Sequence, residues 1–215
     1  MTDFIASGCV GVAQIAIGHP FDTTLTLIQN KKPWWGLKPL QYYRGWRYPL
    51  TSSVLFNMSV FPIVERTVEH TNSTIISGAL AGCCVAPFMF CFEFGKIKQQ
   101  TLQPVTIKGL LENKGRISML SREVVAMSSY FGSYNYLRSK EYHPLIAGGF
   151  AGLTNWTLTY PIEVVKNRQL AQNIGILSAI KQGNIWKGYS ICATRAFIVN
   201  AVNFWTYETV KNLLS

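Results

Sequence analysis

Pro161-Ile162-Glu163-Val164-Val165-Lys166-Asn167-Arg168 sets a proline, an acid and two bases at fixed steps inside an apolar run. The acid and the first base stand three apart, so in a helix they share one face. The proline removes a backbone hydrogen bond and kinks the helix beside them. Seventy residues earlier, Cys91-Phe92-Glu93-Phe94-Gly95-Lys96-Ile97-Lys98-Gln99-Gln100 repeats the spacing, with Cys91 in the proline's place. Seventy-one residues before that stands Pro20-Phe21-Asp22-Thr23-Thr24-Leu25-Thr26-Leu27-Ile28-Gln29, where leucines replace both bases. Three charged helix ends of this kind can meet at one end of a bundle.

Two further landmarks keep the same register. A glycine after a basic residue recurs as Tyr43-Arg44-Gly45, Asn113-Lys114-Gly115 and Trp186-Lys187-Gly188, and nineteen residues beyond each glycine lie Val64, Tyr134 and Tyr207. A period near seventy divides the chain into repeats at about 1–70, 71–140 and 141–215 within one domain. Each repeat holds two apolar segments, at roughly 3–28 and 47–68, 74–97 and 117–138, and 144–167 and 189–212. Each is about long enough to cross a hydrocarbon core of about 30 Å. The expected fold is an all-α membrane protein, six transmembrane helices in three pseudo-symmetric two-helix repeats around a central cavity. Polar interruptions suit helices that line a water-filled cavity. Small residues four apart (Ser7 and Gly11, Gly78 and Gly82, Gly148 and Gly152) are expected to let helices pack closely.

Charged residues make up only 14% of the 215, against about 25% in soluble domains. The net charge of +10 suggests nucleic acid until position is considered. Segments 29–47, 96–116 and 166–188 hold 14 of the 20 Lys and Arg, opposed only by Glu112, and each joins two apolar stretches. That is a positive side of a membrane, with no basic helix or RNA-binding motif competing. The five cysteines form no C-x-x-C pair and have no His at ligand spacing, so they are expected as structural thiols, with no metal and no cofactor. The apolar start at Phe4 follows no signal peptide or Arg-rich presequence, so any targeting signal is expected to be internal. Nothing resembles a nucleophile triad or a phosphate loop, and an enzyme is not expected.

The repeated motif resembles the signature of the mitochondrial carrier family, Pro-x-[Asp/Glu]-x-x-[Lys/Arg]-x-[Lys/Arg]-x-Gln, across essentially the whole chain. The resemblance implies interhelical salt bridges that close the matrix side: Asp22 with Lys96 and Glu93 with Lys166. It implies glutamines at Gln29 and Gln100 and kinks at Pro20 and Pro161. Glu163 would need a base at Leu25 and has none. The family's cytoplasmic gate falls on Glu65, on Tyr134, Asn135 and Arg138, and on Tyr207, Glu208 and Lys211. Glu65–Arg138 would be its only full ion pair, with Asn135 able to hydrogen-bond Lys211. Val64 and Val68 weaken it.

Seven residues past each landmark glycine stand Ser52, Arg122 and Arg195, which in the family face the cavity and contact substrate. An intramembrane Arg is costly and points to function. The guanidinium fork suits a carboxylate, and Glu123 suits an ammonium group. Because Arg122 and Glu123 are neighbours, their side chains are expected to diverge by about 100°. Trp156 offers a cation–π face to an amine. These residues, with Gly18-His19-Pro20-Phe21-Asp22-Thr23, Gly148-Gly149-Phe150-Ala151-Gly152 and Arg195-Ala196-Phe197 with Asn200, resemble the ornithine and carnitine/acylcarnitine carriers. Phe56 stands where ornithine carriers place an acid, which argues against a dibasic substrate.

The resemblance thus implies a monomeric solute transporter of the mitochondrial inner membrane. It would bind a small-molecule substrate within a lipid bilayer, with cardiolipin as a possible lipid partner. An amino acid or carnitine-like zwitterion would move by alternating access, as exchange. Two alternatives stay open: a nucleotide or carboxylate carrier of the same fold, and a degenerate, non-transporting membrane interaction or leak protein.

Overall fold

The computed structural model describes the backbone of residues 2–214. It describes the side chains except those at 1–11, 54, 57, 58, 61, 62, 144, 145, 200, 201, 203–205, 207, 208 and 211–215. All the regular structure among the described residues is helical. Six helices are long: α1 (Thr2–Gln29), α2 (Arg47–Thr71), α3 (Thr74–Gln100), α5 (Arg116–Ser139), α6 (Pro144–Gln172) and α8 (Tyr189–Leu214). Two are short, α4 (Ile107–Glu112) and α7 (Ile176–Lys181), and a 3-10 turn covers Pro39–Tyr43. The long helices span 24–29 residues, roughly 36–43 Å at 1.5 Å per residue. Length alone would let each cross a bilayer. Among the described residues, only α3 is also apolar enough along its length.

Helix ends follow local chemistry. Asn72 takes a left-handed φ of 51° and its N–H returns to the Val68 carbonyl, ending α2; Ser73 then caps α3 by accepting from the Ile76 N–H. The turns leading into α2 and α8 need positive φ, +80° at Gly45 and +92° at Gly188, which glycine adopts without steric cost. Pro20 leaves the Ala16 carbonyl without its helical donor. The Tyr43 hydroxyl fills that role at 2.7 Å. Pro161 likewise lies inside α6. Pro87 lies inside α3, one turn before the Cys91 slot, so the second motif has a proline after all, displaced by four residues.

α1 packs along α8, α3 along both α2 and α5, and α5 along α6, while α1 touches α2 only lightly. Val60, Val64, Ala81, Val85, Ala126 and Met127 form a core shared by α2, α3 and α5. Phe90, Phe94, Ile97, Met119 and Leu170 join α3, α5 and α6. Leu25, Tyr160, Val164 and Cys192 join α1, α6 and α8. Gly78 and Gly82 set the α3–α5 spacing: an added Cβ would lie 2.6 Å from the Met127 carbonyl oxygen and 2.7 Å from that of Glu123. Gly148, Gly149 and Gly152 behave differently from the expected packing pair, because nothing lies within 4 Å of a Cβ on any of them. They border an open groove of about 270 Å³ between α6 and the Cys192–Phe197 face of α8. The side chains of Ser7 and Gly11 lie outside the described residues.

Candidate functional site

Four acids and four bases from five helices meet around a cavity of about 270 Å³. α1 supplies Asp22, α3 Glu93 and Lys96, α5 Arg122 and Glu123, α6 Glu163 and Lys166, and α8 Arg195. Trp156 and Asn167 also line it. The formal charges cancel. Most of these groups are largely buried, so each needs a partner.

The partners are present. Lys96 Nζ lies 3.1 Å from Asp22 Oδ2, and Lys166 Nζ lies 3.2 Å from Glu93 Oε2. Lys166 also donates to both oxygens of Glu163, on its own helix, at 2.8 and 2.9 Å. Glu163, which lacks a base at position 25, takes a cation from α5 instead: Arg122 Nε is 3.1 Å from its Oε2. Arg195 Nε lies 2.5 Å from Asp22 Oδ1. The sequence pattern assigns both arginines to substrate and misses these ion pairs, which join residues far apart in the chain.

Below the ion pairs lies a layer of amides and hydroxyls. Gln100 accepts from Thr26 at 2.8 Å and donates to Thr23 at 3.1 Å, tying α3 to α1. Gln29 accepts from Asn167 at 2.6 Å and donates to the Tyr160 hydroxyl at 3.4 Å, tying α1 to α6. Arg168 is fully buried and donates to the carbonyls of Gln29 and Ala179 at 3.0 and 2.9 Å. Thr26 and Asn167 stand four residues past Asp22 and Glu163, a spacing that would have pointed to them, whereas Thr23, next to Asp22, carried no such signal.

Several site expectations are corrected. Arg122 and Glu123 do not diverge: Arg122 Nη1 lies 2.6 Å from Glu123 Oε1. The 100° step separates Cβ directions, but a long guanidinium side chain folds back across it. Trp156 faces that guanidinium, with Arg122 Cζ 5.9 Å from the ring centre. Ser52 is buried, does not line the cavity and donates to the Pro49 carbonyl in its own helix. At the opposite end, Glu65 and Arg138 are exposed and form no ion pair with each other. Arg138 Nη1 donates instead to the Tyr142 carbonyl at 2.8 Å. Tyr134 stacks on Tyr130 with centroids 6.4 Å apart, and Asn135 is exposed. The side chains of Asn200, Tyr207, Glu208 and Lys211 lie outside the described residues. Among the described residues, no group of three His, Cys, Asp or Glu side chains is placed to hold a metal ion.

Paired charges around a small cavity between long helices are an arrangement that a solute carrier can use. The profile of the mitochondrial carrier protein family matches residues 138–215. The mitochondrial arginine transporter BAC2 of Arabidopsis thaliana is 29% identical over 99% of this chain and 91% of its own length. The human mitochondrial basic amino acids transporter is 29% identical over 97% of this chain and 89% of its own. The mitochondrial substrate carrier family protein S of Dictyostelium discoideum is 27% identical, covering 100% and 98%. The chain is thus similar to mitochondrial carriers along essentially its whole length, with the family profile matching its last third.

Proposed function

We propose that this chain crosses the mitochondrial inner membrane six times, as three two-helix repeats at about 1–70, 71–140 and 141–215, and exchanges amino acids by alternating access. The observation that carries this reading is the pairing of two arginines with one unsatisfied carboxylate in a single cavity. Glu123 is fully buried and lines the cavity, yet its Oε2 has no hydrogen-bond partner. Such an atom costs free energy until a donor arrives. A substrate ammonium is that donor, and Arg122 and Arg195 receive the carboxylate.

The relatives named for arginine and basic amino acids favour a substrate with a second cation. Phe56 does not argue against it, because it packs against the Val60–Val64 core away from the cavity. A second cation would share Asp22, Glu93 or Glu163 with the bases that already pair with them. The polar residues of α5 and α6 line the cavity, as expected of spanning helices around water. Large apolar side chains such as Ile75, Leu158 and Phe197 remain exposed, as suits contact with lipid. In this reading the ion pairs and the amide layer form the matrix gate. Residues 65, 134–138 and 207–211 form a weak cytoplasmic gate. The carrier works as a monomer and holds cardiolipin at its matrix face.

Liposomes containing the purified protein and preloaded with arginine test this directly. External arginine, lysine, ornithine, carnitine and ADP are offered in turn. Saturable exchange of arginine or lysine is expected. Uptake of ADP alone, or of none of the five, would overturn the proposal.

A further inference from the structure

We infer that Arg122 also serves as the third cation of the closed ring, so that a substrate carboxylate binding it releases Glu163 and unlatches α5 from α6. This rests on the cavity being the substrate site. The ring holds three carboxylates, Asp22, Glu93 and Glu163, but only two lysines. Leu25, where a third base would stand, is packed against Tyr160, Val164 and Cys192. Lys166 is therefore divided between Glu163 at 2.8 Å and Glu93 at 3.2 Å. One ammonium cannot neutralise both, and an unpaired buried carboxylate is strongly unfavourable. Arg122, reaching from α5 to within 3.1 Å of Glu163 on α6, meets that deficit.

The same guanidinium is already shared with Glu123 at 2.6 Å. Arg122 carries one positive charge, so an arriving carboxylate competes with the two acids for it. Glu123 is the next residue on the same helix and stays within reach, whereas Glu163 moves with α6. Substrate binding and release of the α5–α6 latch are then a single exchange of partners. Arg195 and Asp22 form the equivalent link between α8 and α1, at 2.5 Å. A ligand shifts a conformational equilibrium only by its differential affinity for the two states. Here the differential is built in, because the substrate gains Arg122 fully only when the latch is open. An empty carrier stays latched, which favours exchange over leak.

The test uses the full-length protein in detergent and in vesicles, with arginine as the ligand. Three quantities are read: the unfolding midpoint, the upward shift of that midpoint by arginine, and efflux of trapped arginine with no external substrate. Arg122→Gln is expected to lower the midpoint by about 4 °C, raise efflux several-fold and abolish the arginine shift. Adding Leu25→Lys to Arg122→Gln should recover part of the midpoint and lower the efflux while the arginine shift stays absent, because a lysine on α1 neutralises Glu163 but leaves Glu123 without its arginine. Should Leu25→Lys disturb folding, the Arg122→Gln and Glu163→Gln pair decides: the double variant should be no less stable than the worse single. The inference is overturned if Arg122→Gln loses the arginine shift yet keeps the wild-type midpoint and efflux, or if the two single losses simply add. If Arg122→Gln retains the arginine shift, it is the substrate-site reading that falls.

Discussion

Asp22 holds two cations at once, Lys96 at 3.1 Å and Arg195 at 2.5 Å. That sharing sets what a charge swap can achieve. Asp22→Lys places a cation against two others and should nearly abolish transport. Combining it with Lys96→Asp restores one pair but leaves the introduced lysine facing Arg195, so uptake should recover only in part. A double variant no better than the worse single would remove the pair from the gate. Glu123 permits a finer measurement. Glu123→Gln keeps the shape and removes the charge that a substrate amine would meet. A hydrogen bond to a charged group contributes about 1.5–3 kcal/mol, so zwitterions should bind roughly ten- to a hundredfold more weakly. Matched acids without the amine should lose much less. Equal losses for both ligand types would mean that Glu123 only orients Arg122. Repeated spacing showed that the charged ends of three helices can meet, and the family resemblance implied the Asp22–Lys96 and Glu93–Lys166 contacts that the structure contains. The Arg122–Glu163 and Arg195–Asp22 contacts were implied by neither. They cross between different motif positions, and no spacing within one repeat encodes them.

Helices were the easiest elements to read. The apolar segments expected at 74–97 and 189–212 appear as Thr74–Gln100 and Tyr189–Leu214. The added residues at the ends are polar motif positions that propensity alone leaves ambiguous. Small-residue spacing was a poorer guide, because it states where a helix could approach and not whether one does. The two glycine pairs make the point measurable. Gly82→Ala forces a methyl group to within 2.7 Å of the Glu123 carbonyl oxygen, so α3 and α5 must separate. Overpacking of this kind costs about 1–3 kcal/mol, and the unfolding midpoint should fall by roughly 2–10 °C. Gly148→Ala meets nothing within 4 Å and gains helix propensity, so its midpoint should stay level or rise. Equal destabilisation by both would show that the open α6–α8 groove closes in solution. Pro87 illustrates a further limit: a motif with fixed positions meets Cys91 and passes over a proline one turn away.

The two ends of the bundle differ in how they are closed. At one end, three carboxylates, two lysines, two arginines and an amide layer are interlocked among α1, α3, α5, α6 and α8. At the other, Glu65 and Arg138 stay apart, and Val64 and Val68, at positions where the gate needs an aromatic and a base, belong instead to the α2–α3–α5 core. A side chain committed to apolar packing cannot also close an aqueous entrance. The resting protein should therefore be open on the side of the 140–143 loop and sealed on the side of the basic 29–47 segment. Met89 lines the charged cavity and offers a reporter. In a cysteine-free background, with Cys9, Cys83, Cys84, Cys91 and Cys192 replaced, Met89→Cys should react with a membrane-impermeant thiol reagent supplied from the 140–143 side and resist it from the other. Excess arginine should slow the first reaction by occupying the cavity and speed the second by populating the opposite state. Orientation in vesicles is fixed independently by protease cleavage in the 29–47 segment. Labelling from the basic side alone, without substrate, would reverse the assignment of the closed end. Equal labelling from both sides would show a channel-like path and remove alternating access.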